Sequence, residues 1–444
     1  MTTRPRLKRW LIGGAAILVL LVAGLWAALL AWLPSDAQLA ERIGAQFEKS
    51  TGVGLAVGGV HWSLMPLPQV VLTDLATQQA QPITVRRIAL QPRLMSWLRS
   101  RELAFDDIEI EGAKFPRASV RHFRGLTNPD DLVQKNMTDG WHPAAVPIAH
   151  LRFRDITWVD RRDIALAYDG DIAFDPRWRP RSGEIRRAGA SSAVRLRIER
   201  TKTDEDRWRT LIDVGGGTWN GESALDMLAD GRMRLTARLQ AKGVDVEGTM
   251  NAFDRRTPVA GKLSGPTEVK AEGRHAAELL RSLHTRTKFS VAPAQFTRFD
   301  LATAVTSLGA ETKGKTVLDE FTGVLETQAT EDGTVLQYSD LKARSGLLTA
   351  SGNVRLFDRK LQGAIAVDLV DGVVGVPLQI GGTVDAPLVS MTKGAVAGAA
   401  VGSAVLPGVG TAIGARLGQR IERMLEPEPK ARQPAPRAAG PRKP

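Results

Sequence analysis

The chain has 444 residues, of which 43% are hydrophobic and 24% charged, and its net charge is +12. This composition is typical of a folded protein and excludes an intrinsically disordered chain or a membrane protein with many spans. Cysteine is absent, which excludes disulfides, thiolate catalysis and zinc–thiolate sites.

The positive charge is concentrated at the two ends of the chain. Residues 1–9 contribute +4 and residues 426–444 contribute +3. A nucleic-acid-binding protein concentrates its charge on the folded body, so we expect no nucleic-acid partner. Attraction of the protein to anionic lipid explains this distribution of positive charge at least as well.

Residues 11–33 form an uncharged apolar run of 23 residues. As a helix this run is about 34 Å long, which is enough to cross a hydrocarbon core about 30 Å thick. Cations precede it and acidic residues follow it, so residues 1–10 are expected in the cytoplasm and the body on the other side. A cleaved signal peptide is the alternative, but its apolar core is normally shorter. The predicted membrane-anchor positions are Leu11, Leu18, Leu25 and Leu33.

A short helix is predicted over residues 35–50, ending at Gly52. Its apolar residues recur at i, i+4 and i+8 and therefore share one face. We expect this face to pack on the end of a sheet; a helix lying on a lipid surface is the alternative. The residues of this face are Leu39, Ile43 and Phe47.

After residue 54 the apolar period changes to two, which predicts strands with one buried face and one solvated face. Six short segments predict hairpin turns: Asp169-Gly170, Asn220-Gly221, Asp230-Gly231, Asp332-Gly333, Ser351-Gly352-Asn353 and Asp371-Gly372. Helices are few, with candidates at 222–228 and 276–284. The expected fold is mainly β: a single N-terminal transmembrane helix, a large curled antiparallel sheet shaped like a groove, few short helices, and a C-terminal helical hairpin.

A curled sheet with an unfilled apolar side would hold acyl chains, because each buried methylene is worth about 0.8 kcal/mol. The alternating apolar residues are the candidates for the groove floor. They are Val194, Leu196, Ile198, Leu235, Leu239, Val244, Val246, Ile365 and Val367.

Arginines alternate with these apolar residues. An ordinary solvated face is one interpretation, and a rim that attracts phosphate head groups is the other. The head-group candidates are Arg195, Arg197, Arg234 and Arg238.

Six glycines near the C-terminus are spaced by four in two sets, separated by Pro407. This spacing aligns them on one helical face, where two backbones can approach closely, and predicts a glycine-zipper hairpin over residues 393–425 that contacts membrane or a protein partner. A flexible linker is the alternative. The zipper positions are Gly394, Gly398, Gly402, Gly410, Gly414 and Gly418.

No motif in the sequence indicates catalysis. The six histidines lack metal-ligand spacing, and neither a nucleophile elbow nor a phosphate-cradling loop occurs. Acidic clusters at 106–107 and 160–163 are typical of solvated strand ends, with acid/base pairs as the alternative. We therefore expect no catalytic residues, no metal site, no cofactor and no enzyme activity.

Two stretches resemble the AsmA family of bridge-like lipid-transport proteins, the AsmA, TamB and YhdP group. The first runs from Pro34 through the Thr51-Gly52 turn to Pro66 and Pro68, and the second includes residues 341–356 and 377–387. The resemblance covers about residues 5–125 and 335–392.

The resemblance implies a Gram-negative inner-membrane protein with a periplasmic β-rich body that binds or transfers phospholipid or a similar amphiphile. A non-catalytic scaffold for outer-membrane protein biogenesis is the alternative, and an envelope hydrolase is a third. The expected regions are 1–10 (cytoplasmic), 11–33 (anchor), 34–125 (AsmA-like N-terminal), 126–334 (central β-groove), 335–392 (AsmA-like C-terminal), 393–425 (zipper hairpin) and 426–444 (disordered basic Pro-rich tail).

Overall fold

A computed structural model describes residues 35–63, 68–93, 95–96, 102–123, 142–176, 179–274, 276–307, 311–330, 332–369 and 376–391. The described chain is mainly β with few short helices. The predicted anchor, zipper hairpin and tail lie outside it. Across these residues, we find no helix long and apolar enough to span a membrane.

The chain divides into two compact units. The first holds residues up to Ala190 together with Val194–Glu205, and the second holds Ser191–Ala193 and the residues from Asp206 onward. The finer division into regions predicted from the sequence stays a prediction.

The first unit is a sheet in which most strands pair with their neighbours in the chain, while β5 and β6 each pair with β4. Pairing is antiparallel, except that β4 runs parallel to β5 and β6. The strands are β1 (Leu55–Ser63), β2 (Gln69–Thr77), β3 (Thr84–Pro92), β4 (Glu102–Pro116), β5 (His142–Ile148), β6 (His150–Val159), β7 (Ala165–Phe174), β8 (Pro180–Arg187) and β9 (Arg195–Arg200).

Helix α1 (Asp36–Thr51) confirms the prediction for residues 35–50. Ser35 caps its first turn in a capping box, and Gly52 ends it in the left-handed conformation with φ 70°. Leu39 and Ile43 pack against the buried core of β1 and β2, so the helix lies on the sheet as expected. A second helix, α2 (Arg117–His122), follows β4.

The second unit is an antiparallel sheet that does not close on itself, since within the described residues its last strand does not pair with its first. β14 pairs with both β15 and β16. The strands are β10 (Arg207–Val214), β11 (Gly217–Met227), β12 (Met233–Asp245), β13 (Val259–Gly273), β14 (His284–Phe296), β15 (Thr316–Leu318), β16 (Glu320–Thr330), β17 (Gly333–Arg344), β18 (Leu348–Phe357), β19 (Lys360–Leu369), β20 (Val376–Gly382) and β21 (Pro387–Met391).

Three helices interrupt the second unit: α3 (Val246–Ala252), α4 (Ala276–Arg281) and α5 (Leu301–Thr306). α4 confirms the helix predicted at 276–284, although it ends earlier because β14 begins at His284. The helix predicted at 222–228 is wrong, because these residues continue β11 up to Met227.

Of the six predicted turns, three are wrong. Asp169-Gly170 and Asn220-Gly221 lie inside β7 and β11, and Ser351-Gly352-Asn353 lies inside β18. Asp230-Gly231 is a turn with Gly231 at φ 78°, Asp332-Gly333 lies where β16 turns into β17, and Asp371-Gly372 lies outside the described residues. A turn-forming dipeptide alone does not determine a turn. At Asp169-Gly170 and Asn220-Gly221, pairing with strands on both sides stabilises an extended backbone.

Candidate functional site

One side of β6–β9 in the first unit carries a continuous set of large apolar side chains. Strand register places Leu151 opposite Ile172 and Ile185 opposite Leu196, all on the same side. We call this set the apolar face. It consists of Leu151, Phe153, Ile172, Ile185, Leu196 and Ile198.

Gly170 allows the ring of Phe153 to lie across β7. The two residues are directly paired, and a Cβ at Gly170 would lie 2.2 Å from Cζ of Phe153. A glycine in the middle of a strand often marks such a close approach. The sequence signal for this packing was the Asp169-Gly170 dipeptide, which we read as a turn.

A bulge in β6 extends the apolar surface toward Trp158. Asp155 has φ 54°, and its N–H donates to a carboxylate oxygen of Asp169 at 2.8 Å. The shift brings Ile156, and not Asp155, opposite Tyr168. Two apolar residues of β6 beyond the bulge therefore stay on the side of the apolar face.

The apolar face is half-buried. Among the described residues of β5–β9, Leu166 is the one fully buried hydrophobic residue, at 9% exposed. The two described helices of this unit pack elsewhere, α1 against β1 and α2 against β4. Within the described part of the unit, this side of the sheet is therefore not covered by a helix.

The opposite side of the same strands is charged. Register aligns Arg152, Asp171, Glu184 and Arg197 in one row across β6–β9. Nε of Arg197 lies 3.3 Å from a carboxylate oxygen of Glu184. Exposed pairs of this kind stabilise by at most about 1 kcal/mol, so the row identifies the solvated side and adds little to the fold.

His150 on this charged side bridges two carboxylates. Nδ1 lies 2.9 Å from Asp107 and Nε2 lies 2.7 Å from Asp171. Burial alone would lower the pKa of His150, but the hydrogen bonds to Asp171 and Asp107 outweigh it and raise the pKa above its ordinary value. Both nitrogens can donate only in the protonated ring, so this geometry fits imidazolium.

A concavity of about 580 Å³ lies over β6–β9, and it is lined both by charged side chains and by Phe153 and Ile198 of the apolar face. Arg152, Asp171, Glu184 and Arg197 all contribute to it.

In the second unit, one side of the sheet is filled by the chain itself. Leu301, Ala304 and Val305 of α5 pack on strand residues such as Leu318 and Val367, and each of the five is at most 3% exposed. Within the described residues, this region is a hydrophobic core that the chain closes with its own helix.

A line of hydroxyl groups crosses the inner side of the second unit. Thr267 and Thr287 lie 3.0 Å apart through their Oγ1 atoms, and Trp219 Nε1 donates to Thr267 at 2.9 Å. Thr285 and Thr327 pair in the same way at 2.7 Å. This line was not predicted, because its one signal in the sequence is that Thr285 and Thr287 alternate on one strand.

The predicted groove residues fall into two groups. Val244 and Val367 are 2% and 0% exposed, and Val246 and Ile365 pack against the closed core. In this structure these four are core residues. The other five are half-buried: Val194, Leu196, Ile198, Leu235 and Leu239.

These five are not all in one place. Leu196 and Ile198 belong to the apolar face of the first unit, and Val194 precedes them on the chain. Leu235 and Leu239 belong to the second unit, where they lie on the same side as the hydroxyl line.

All four predicted head-group arginines lie on the charged side of their strands, away from the apolar residues that alternate with them. They are Arg195, Arg197, Arg234 and Arg238. Arg197 pairs with Glu184, and Arg234 donates to Glu272 at 2.7 Å. A molecule lying on the apolar side of either strand would therefore not contact them directly.

The predicted anchor and zipper residues lie outside the described residues. Within the described part of the chain, no cluster of three or more His, Cys, Asp or Glu side chains could hold a metal ion. Comparisons with protein-family models, curated proteins and solved structures gave no match.

Proposed function

We propose that this chain is an AsmA-like protein of the bacterial inner membrane that binds or transfers phospholipid or a similar amphiphile in the periplasm. Residues 11–33 would anchor it, and the β-rich body would hold the acyl chain. The proposal takes its cellular setting from the sequence resemblance and its binding site from the apolar face.

The observation that carries this proposal is the half-buried apolar face of β6–β9. Large contiguous apolar surface on a folded protein marks a site of interaction. Burying one methylene there contributes about 0.8 kcal/mol, so ten buried methylenes would contribute on the order of 8 kcal/mol before the costs of binding. Phe153 across Gly170 widens this surface without adding a polar group.

The charged side of the same strands supports an orientation for the guest. The row that includes Arg152 and Glu184 stays in water, while Ile185 and Leu196 face the other way. A sheet with this asymmetry presents one surface only to an acyl chain.

Native mass spectrometry of the full-length protein tests the proposal through a register-paired double variant. Ile185→Gln with Leu196→Gln places two polar groups in the middle of the apolar face. We expect this variant to lose bound lipid relative to the wild type while its circular dichroism is unchanged, because both positions are half-buried.

The matched control is Arg186→Gln with Arg195→Gln, the neighbouring register pair on the charged side of the same two strands. It should keep the wild-type amount of bound lipid. Lipid held by the anchor is common to all three proteins and cancels in the comparison. Equal lipid in the two double variants would count against the proposal.

The alternative is a non-catalytic scaffold for outer-membrane protein biogenesis. The filled core of the second unit favours it, because α5 occupies the side on which a guest would otherwise lie. Wild-type protein with no more lipid than the Ile185→Gln/Leu196→Gln variant would support this alternative.

A further inference from the structure

The hydroxyl line of the second unit lies at the border of the closed core. Leu325 and Tyr338 pack against this core, whereas Leu239 is half-buried and does not belong to it. Register places Thr287 between the two parts, opposite Leu325 on one side and opposite Thr267, the partner of Leu239, on the other. The line therefore runs where the sheet passes from its filled part to a half-buried part.

The Trp219–Thr267–Thr287 chain has one proton more than it has hydrogen bonds. The indole N–H and two hydroxyls supply three protons, and among the described residues they form two bonds, Trp219 to Thr267 and Thr267 to Thr287. Thr267 and Thr287 are 6% and 5% exposed. A buried O–H donor without an acceptor destabilises the fold, so this proton calls for an acceptor that the described strands do not supply.

The second hydroxyl pair has the same surplus and lies closer to solvent. Thr285 and Thr327 lie 2.7 Å apart, which uses one of their two protons, and both are half-buried. Two donors at neighbouring points of one line therefore lack acceptors on the inner side of the sheet, the side of the closed core.

Tyr338 adds a third donor to the same surface. Its ring meets that of Phe289 at 6.4 Å, and Phe289 lies two residues from Thr287 on β14, so the phenol leans from β17 toward the hydroxyl line. Its hydroxyl forms no hydrogen bond within the described part of the chain. The phenol O–H is thus available to an acceptor beside the threonines.

The inner side around this line is uncharged. The outer row across β11–β16 consists of Glu222, Arg238, Glu268, Arg286 and Glu326. The adjoining inner row consists of Ser223, Ala237, Val269, Thr285, Thr327 and Leu336. A charged head group placed on the inner row would lose its hydration without meeting a counter-charge, so this surface favours an uncharged guest.

The apolar strip beside the hydroxyl line reaches solvent at the β11–β12 hairpin. On the inner side Leu225 pairs with Leu235, and Met227 pairs with Met233. Met227 is 56% exposed. As far as the described residues show, the strip is open to solvent at this end.

We propose that the O–H donors of Thr285, Thr327 and Tyr338 bind the carbonyl oxygen of an uncharged acyl ester, such as an acylglycerol. The alkyl chain of the ester then lies on Leu235 and Leu239. A carbonyl oxygen accepts hydrogen bonds and donates none, which matches surplus O–H donors, and the chain buries apolar surface on the leucines. This inference rests on the proposed function and names the chemical class of ligand that the second unit takes.

The test is calorimetric titration of the full-length protein in nanodiscs of diether phosphatidylcholine, which contain no ester carbonyl, with empty nanodiscs as baseline. The Ile185→Gln/Leu196→Gln background removes the apolar face of the first unit from the measurement. The probes are monooctanoylglycerol and octylglycerol, an ester and the ether that lacks its carbonyl. The ester should bind about 5-fold or more tightly than the ether.

Thr285→Val with Thr327→Val removes both hydroxyls of the pair together, so neither is left without its partner. We expect this variant to weaken the ester about 5-fold or more and to leave the ether within about twofold. Thr285→Ser with Thr327→Ser keeps both hydroxyls and should keep the preference for the ester. Tyr338→Phe tests the same site if the valine variant folds poorly, and it should weaken the ester several-fold and spare the ether.

The matched control is Thr236→Val with Thr322→Val. These two threonines lie on the outer side of β12 and β16, opposite Lys270 and Ser290. The control variant loses the same number of hydroxyls and should change neither affinity.

Equal affinity for the two probes, binding of neither probe, or equal weakening of both by the valine variant would overturn the inference and assign the surplus protons to water. Loss of the ester preference in the serine variant or in the control would also overturn it. None of these results concerns the apolar face, so the native mass spectrometry comparison decides the proposed function separately.

Discussion

The two tyrosines of the chain, Tyr168 and Tyr338, both lie on the apolar sides of their sheets. Burial raises the pKa of each, and that of Tyr338 to about 12. Tyr338 meets the ring of Phe289 edge-on, with centroids 6.4 Å apart. The pKa of each tyrosine hydroxyl therefore measures how well its side of the sheet is shielded from water.

We predict that the folded protein forms little tyrosinate at pH 10.5, measured by absorbance near 295 nm, whereas the denatured chain forms it readily. The neutral form of Tyr338 is favoured in the folded state, so its stabilisation is complete below pH 10 and is lost as the pH rises through about 12. The contribution is on the order of 3 kcal/mol.

Tyr338→Phe is the control for this titration, because it should flatten the alkaline loss of stability and leave the signal of Tyr168 in place. Ordinary titration of both hydroxyls near pH 10 in the folded wild type would contradict the burial described here.

His150 gives the fold a second titratable contact. Its pKa is raised by the carboxylates of Asp171 and Asp107 against the effect of burial. The stabilisation is therefore full below pH 6.5, the unfolded value, and is lost as the pH rises through the higher folded value. We expect the melting temperature of wild type, relative to His150→Gln, to fall between pH 6 and pH 8.

An NMR titration of the His150 ring checks the same point, and Arg152, Arg154 and Arg186 are the cations on that side of β6–β8. A ring pKa below 6.5 would show that burial dominates over the two carboxylates.

At the scale of elements, α1 could be predicted because its signals are local: Ser35 as cap, Gly52 as terminator and a regular apolar stripe. α3 and α5 could not, since each has fewer than eight residues and no stripe long enough to recognise. Val246 continues the alternation of β12 in sequence, yet Asp245 caps a helix there. Tertiary packing decides such short elements.

The same contrast predicts two different costs of truncation. Leu301→Ala removes a side chain that is 1% exposed in the closed core of the second unit. This substitution should lower the free energy of unfolding by about 2–5 kcal/mol. Ile185→Ala on the half-buried apolar face should lower the free energy of unfolding less than Leu301→Ala does, with a difference of at least roughly 1 kcal/mol. Urea denaturation of both variants gives the comparison.

A larger loss for Ile185→Ala than for Leu301→Ala would mean that the apolar face is packed as tightly as the core.

At the scale of the whole molecule, alternation predicted the mainly β architecture and the side of the strand on which each residue lies. It could not predict which apolar sides the chain covers itself. Val367 and Leu196 have the same pattern in sequence, yet Val367 is at 0% exposure under α5 and Leu196 is half-buried. Coverage depends on where short helices fold back, and strand periodicity contains no such information.

The side of the sheet on which Arg187 lies could not be predicted from the sequence for a related reason. Alternating arginines such as Arg197 attract attention because they repeat, but repetition places them opposite the apolar residues. Arg187 was not singled out because it follows Arg186 in a charged segment. Register with Tyr168 is what places it on the apolar side.

The central claim is that the half-buried apolar face of β6–β9, which no helix covers within the described residues, holds an acyl chain. Photo-crosslinking with a phospholipid that carries a diazirine in its acyl chain, followed by peptide mapping of the full-length protein, tests this claim most directly. The predicted result is labelling at Phe153, Ile185 and Leu196, with none at Val367. Labelling confined to the segment 11–33, or equal labelling on the charged side at Arg152 and Glu184, would contradict it.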